Sequence, residues 1–253
     1  MSVVLTKEVS GVLVVTINRP DVRNAINTAA AEGIAAALAE LDARSDLVAG
    51  VLTGAGSSFC TGMDLKAFLA GERPSVPERG FAGIVERPPD KPLIAAVEGY
   101  AVAGGFEIAL ACDLIVAASD ATFGLPEVRR GLVAAGGGLL RLPERVPYGL
   151  AVEWALTGAF VPASRAVEVG LVNQVTDPGG ALDGALEVAT AIAANGPLAV
   201  RATKRILQES RQWPAAEAFD RQREISEPVR ASEDAREGAR AFAEKRAPQW
   251  RGA

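Results

Sequence analysis

Apolar residues along this chain follow two periods, and the switching between them outlines the fold. Residues 12–17, Val-Leu-Val-Val-Thr-Ile, are a β-branched run closed by Asn18-Arg19-Pro20, a strand followed by a turn. The period then lengthens: Asn27 or Thr28 is placed to cap a helix carrying Ile34, Leu38 and Leu41 on one face. Residues 48–53 read as a buried strand that runs into the loop Gly54-Ala55-Gly56. Residues 71–92, rich in Pro, Gly and charge, predict a mobile loop or a partial helix. Residues 93–97 are strand-like again, and Gly104-Gly105 opens a helix reaching about residue 112. Residues 114–117 and 121–123 are further strands, the triplet Gly136-Gly137-Gly138 precedes another helix, and residues 171–175 form a short late strand. Strands alternating with helices predict an α/β core with largely buried sheets, and no repeat of fixed length stands out.

The longest apolar stretch, residues 93–118, has the length of a membrane span but holds Glu98, Glu107 and Asp113 together with Gly99, Gly104 and Gly105. Acids at the centre of a bilayer are costly, so the stretch reads as strand, turn, helix and strand. Asn195-Gly196-Pro197 is a helix-start signal and marks a change of composition. The predicted organisation is therefore a core over residues 1–195 and a helical region over residues 196–253. From residue 201 onward there are 12 Lys/Arg against 9 Asp/Glu, a basic appendage on an acidic core. Such a surface is either simply solvated or supplies cations to ligand phosphates or a neighbouring subunit.

Composition narrows the chemistry. The 253 residues contain no histidine, which removes Ser-His-Asp and Cys-His catalytic groups and histidine-ligated metals. Proton transfer then falls to Asp, Glu, Lys, Tyr or Cys. Cys60 and Cys112 are too few for a disulfide framework, lie in apolar stretches, and fit buried thiols in a cytoplasmic protein. The net charge of −5 and a pI near 5.1 argue against general nucleic-acid binding. The first residues are strand-like and show no basic, apolar and cleavage-site succession, so no leader or membrane span is expected.

Three segments could carry chemistry. Ser58 to Leu65 follows a strand and contains Gly62, so its backbone could turn an N–H toward a ligand. Gly99 to Glu107 places two glycines at a helix start, where free N–H groups and the helix dipole favour developing negative charge. One N–H from each could form an oxyanion hole. Glu107 sits in that first helical turn, a position that also suits a plain helix-end charge. Glu127 follows Phe123-Gly124-Leu125-Pro126 and precedes a glycine-rich apolar segment, a setting where a charge needs a partner or a role. No dinucleotide fingerprint, phosphate loop or metal-loop spacing is present.

In register, these segments resemble the enoyl-CoA hydratase/isomerase, or crotonase, superfamily over nearly the whole chain. Arg19-Pro20 with Asn24-Ala25-Ile26-Asn27 is similar to its early signature, and Phe59 to Leu65 to its first oxyanion segment. Ala101 to Glu107 resembles the second, Phe123 to Glu127 the segment of the second acid, and Glu237-Gly238 through Pro248 the C-terminal signature. The resemblance implies a spiral of strand-strand-helix (ββα) units with a C-terminal helical trimerisation region, assembled as a homotrimer or a dimer of trimers. It implies the backbone N–H groups of Met63 and Gly104 as thioester-oxygen donors. Glu107 would activate water and Glu127 would exchange the proton at the α carbon of a 2-enoyl-CoA. Arg23 and Lys245 are candidates for the CoA phosphates and Phe242 for the adenine. Ala25, Cys60, Thr61, Asp64, Leu65 and Ala135 are carried over as further CoA- or substrate-binding positions. The acyl-CoA is then the substrate, with no separate cofactor and no metal. Thr61 and Met63 stand where alanine is most common, and Ala134-Ala135 replaces a more usual proline-containing pair. The rival readings are an isomerase or a carnitinyl-CoA dehydratase-like enzyme on this scaffold, and a silent CoA-binding protein.

Overall fold

The structure, a computed structural model, describes residues 2–253. The chain opens with the hairpin β1 (Val4–Val9) and β2 (Val12–Ile17), followed by α1 (Thr28–Ala43) and β3 (Ala49–Gly54). Next come α2 (Leu65–Leu69), the small hairpin β4 (Ser75–Val76) and β5 (Gly80–Phe81), and then β6 (Leu93–Val97). The site-bearing stretch is β7 (Tyr100–Val102), α3 (Gly104–Ala111), β8 (Leu114–Ala118) and β9 (Thr122–Gly124). After it lie α4 (Gly138–Arg145), α5 (Tyr148–Thr157), β10 (Val161–Pro162), α6 (Ala163–Glu168), β11 (Gln174–Thr176) and α7 (Ala181–Ala193). The chain closes with α8 (Pro197–Glu209), α9 (Ala218–Ala231) and α10 (Glu233–Glu244).

A six-stranded sheet runs in the order β1-β2-β3-β6-β8-β11, antiparallel at its first pair and parallel elsewhere. Its strands are apolar throughout because both faces are covered. Leu13, Val15, Leu52, Ala95, Val97 and Ile115 point into the main core with α1 and α3. The alternate residues Val12, Val14, Val51, Ile94, Ala96 and Val116 face α7. That helix presents Ala181, Ala185 and Ala189, four apart and therefore on one face, so small side chains let it lie close to the sheet. A second, three-stranded sheet, β10-β9-β7, carries the segments that matter for chemistry.

Residues 71–92 depart from the predicted mobile loop or partial helix. They form the β4–β5 hairpin, and Ala82, Ile84 and Val85 are buried in the main core. Their apolar side chains follow no helical or strand period, so the burial left no sequence signal. The late strand also begins later than predicted, at Gln174, because Leu171 and Val172 are core residues of the loop after α6.

The acids that argued against a membrane span each have a local structural setting. Glu98 accepts from the Gly179 and Ala181 amides at the start of α7, at 3.0 and 2.9 Å, where the helix dipole favours negative charge. Asp113 receives Lys204 of α8 at 2.6 Å. The Lys204 side chain is only 8% exposed and also donates to the Pro89 and Lys91 carbonyls at 2.8 and 2.9 Å, latching the helical tail to the core. Among the described residues no helix is long and apolar enough to cross a membrane. Removing one member of such a buried pair strands the other, so Lys204→Met is expected to cost about 3 kcal/mol, read as a lower urea midpoint. Adding Asp113→Asn should restore part of it; an unchanged midpoint in the single variant would refute the latch.

Candidate active site

Asn24 is the pin of the site. It is fully buried with a positive φ, and its side chain donates to Ala55 O and Ser58 O at 2.9 and 2.6 Å and accepts from Arg19 N at 2.9 Å. This ties residues 19–26 to the loop after β3. Arg23 O then accepts the Thr61 amide at 3.2 Å, and Ile26 forms a lone parallel bridge with Met63. In that bridge Ile26 donates to Gly62 O and accepts from Asp64 N, both at 2.8 Å. The Met63 N–H therefore faces away from Ile26, and it meets no acceptor among the described residues. Asp64 fixes the far end of this peptide. Its carboxylate caps α2 through the Lys66 and Ala67 amides and holds the Arg19 guanidinium at 2.9 Å, which holds the carboxyl below the usual range despite partial burial. Arg19 also donates to the Ala25 carbonyl.

The second segment approaches from β7. Cys60 bridges to Ala101, and the chain then turns at Ala103, whose φ of +53° lies in the left-handed region. Gly104 begins α3, so its N–H precedes the first intrahelical bond. The two segments touch. A Cβ placed on Gly62, whose φ is +92°, would stand 2.9 Å from Gly104 N. Phe106 of α3 packs on Phe123 of β9 with ring centres 5.5 Å apart, which brings the chain after β9 alongside the helix.

Glu107 lies one turn from Gly104 on the same helix and is only 4% exposed. Its Oε1 accepts from Gly138 N at 3.0 Å, at the start of α4. A Cβ on Gly136 would fall 2.6 Å from its Oε2, so the glycine triplet is the space the carboxylate occupies. Burial pushes the Glu107 pKa up, while the Gly138 and Gly136 amides and the Arg141 charge favour the ionised form. Glu127, on the short helical turn after β9, likewise has its pKa raised by burial, and further by the charge of Glu107, but its buried Oε2 is an oxygen that no donor meets. The two acids are thus electrostatic neighbours, one set among amide donors and one left with a bare oxygen.

Of the other predicted positions, Arg23, Ala25, Thr61, Asp64 and Leu65 gather around the same loop pair. Arg23 is exposed with its guanidinium 5.9 Å from the Tyr100 ring centre, and Leu65 is exposed. One assignment changes. Cys60 is fully enclosed, its thiol pushed up to about 12 by burial and its peptide groups bonded to β7, so it underlies the site instead of lining it. The Asp64 carboxylate bonds to Arg19 and to the first amides of α2, which fixes the peptide that follows Met63. Ala135 is exposed while Ala134 is buried. Phe242 is 88% exposed on α10, which packs on α9, and Lys245 ends that helix with a positive φ. Sequence reading missed the structural roles of Asn24 and Arg19, because their partners Ala55, Ser58 and Asp64 lie far along the chain. Among the described residues no group of three or more Cys, Asp or Glu side chains could hold a metal ion.

The chain is similar to known proteins over nearly its whole length. The family model described as enoyl-CoA hydratase/isomerase matches residues 7–253. The chain is 45% identical over 247 residues to enoyl-CoA hydratase EchA19 of Mycobacterium tuberculosis, covering 94% of this chain and 92% of that one. It is 40% identical over 248 residues to mevalonyl-coenzyme A hydratase sidH of Aspergillus fumigatus, covering 95% and 91%. The crystal structure of an enoyl-CoA hydratase from Mycobacterium tuberculosis H37Rv superposes with a TM-score of 0.99 at 58% identity, covering the whole of both chains. With paired acids beside two closely packed backbone segments, this chain belongs to the enoyl-CoA hydratase/isomerase (crotonase) family.

Proposed function

We propose that the chain is an enoyl-CoA hydratase, a hydro-lyase that adds water reversibly and syn across the double bond of a 2-enoyl-CoA thioester. The observation that carries this reading is the unequal environment of the two glutamates. Burial raises the pKa of both acids; amide donors oppose that rise at Glu107, whereas Glu127 has a buried oxygen with no partner and the Glu107 charge beside it. Environments that separate the pKa values of two acids assign one as base and one as acid.

In the hydration direction Glu107 accepts a proton from water as its oxygen attacks the β carbon. The electron pair moves through the conjugated system onto the thioester oxygen, where the Met63 and Gly104 N–H groups receive the charge. Glu127 delivers its proton to the α carbon, and the proton gained by Glu107 restores Glu127 before the next turnover. Losing one such donor typically slows a reaction by about 10²–10³-fold. Arg23 holds a CoA phosphate at the mouth of the site. Phe242 stands free of its own chain's core, so its adenine contact, and the phosphate contact of Lys245, come from another copy in a homotrimer or a dimer of trimers.

The test is consumption of short 2-enoyl-CoA thioesters, followed by loss of the conjugated-thioester absorbance, with the 3-hydroxyacyl product identified. Hydration of one of them supports the reading. Conversion of a 3-enoyl-CoA without hydration would move the reaction to isomerisation, and CoA binding with no turnover would leave a silent binding protein.

A further inference from the structure

A cavity of about 1080 Å³ lies between the C-terminal end of α3, α4 and α8. Leu110, one turn beyond Glu107 on α3, lies on its wall and Glu107 itself does not, although the Arg141 charge reaches both. Arg141 and Arg145, one turn apart on α4, both line it. Each is half-buried, and neither has a carboxylate within ion-pair distance among the described residues. Arg141 donates to the Val85 carbonyl at 2.6 Å, and Arg145 to the Cys112 carbonyl. The acids nearby are already committed, Asp113 to Lys204 and Glu144 to Arg211. Two guanidinium groups with unused donors therefore face one cavity of a chain whose net charge is −5.

We propose that this cavity binds a phosphate-bearing small organic anion on Arg141 and Arg145. A guanidinium carries five donors in a planar fork that matches phosphate oxygens, and two such cations match a dianion. The exposed Leu207 side chain, also on the cavity lining, suits an apolar portion of the ligand. Burial of the two guanidiniums presses on their charged forms, which gives an entering anion a larger effect than it would have on an open surface.

The probe is inorganic pyrophosphate, titrated calorimetrically into the full chain after saturation with an unreactive saturated acyl-CoA, so that CoA-phosphate contacts are already filled. One pyrophosphate per chain is expected, with affinity falling about 10- to 100-fold in Arg145→Gln. Arg145→Lys, which keeps the charge and loses the fork, should fall between them, and Arg240→Gln on the exposed face of the tail should bind as the parent does. Absence of binding in the parent, or equal affinity in parent and Arg145→Gln, overturns the proposal. It is equally overturned if Arg145→Gln leaves pyrophosphate binding intact but changes the mass of the assembly, because the guanidinium then belongs to a contact between chains.

Discussion

Glu127→Gln is expected to hydrate a 2-enoyl-CoA about 10²–10⁴-fold more slowly than the parent, the usual scale for losing a positioned acid or base. The amide keeps the shape of the side chain and cannot give a proton to the α carbon. It should also melt no lower than the parent at pH 7, and this second expectation separates a catalytic role from a structural one. The folded pKa of Glu127 is raised above the ordinary 4.5 by burial and by the Glu107 charge. A carboxyl with a raised pKa favours the folded state while protonated, and that contribution is lost as pH climbs through the folded value. Above that window the parent holds a charge that burial opposes, and glutamine does not. The melting difference between variant and parent should therefore be small below the folded value, where the parent is neutral as the mechanism requires, and widen in the variant's favour as pH climbs above it. A variant that loses activity together with several degrees of melting temperature at pH 7 would point to a scaffolding role for Glu127.

The second large effect is expected from one methyl group. Gly62→Ala should reduce turnover by about 10²–10³-fold, the cost of misplacing one oxyanion donor, while far-ultraviolet circular dichroism stays that of the parent. Two separate features drive this. The φ of +92° at Gly62 is unfavourable for any residue with a Cβ. The added Cβ would also sit 2.9 Å from Gly104 N, a main-chain atom that cannot swing aside as a side chain could. Relief requires the two segments to part, which would pull apart the Met63 and Gly104 donors proposed to share one oxygen. Because the proposed Phe242 and Lys245 contacts lie outside this loop pair, binding of a saturated acyl-CoA should fall much less than turnover. Turnover within threefold of the parent would refute the convergence of the two donors.

The sequence pattern found those elements whose signal is local. Residues 12–17 and 93–97 are strands with the predicted limits, and Asn27 caps α1 through the Ala30 amide at 3.1 Å. Pro197 starts α8 as the Gly-Pro signal implied. Helix α7 was not identified, because its buried face is alanine and stands out little from its surroundings. The same division holds at the site. Local motifs singled out Gly104, Glu107 and Glu127, and placed Met63 on a loop. The Arg19–Asp64 pair and the Asn24 pin join positions that no spacing rule connects. Cys60 was named for ligand contact because it stands in a motif loop, whereas tertiary packing turned it inward.

The Met63 N–H is a property of the peptide, present whatever side chain the residue carries, with proline the exception. Mutational scans that trim side chains to alanine would pass over this position as silent. The same independence leaves residue 63 open to change under selection for different acyl groups, with the reactive centre intact.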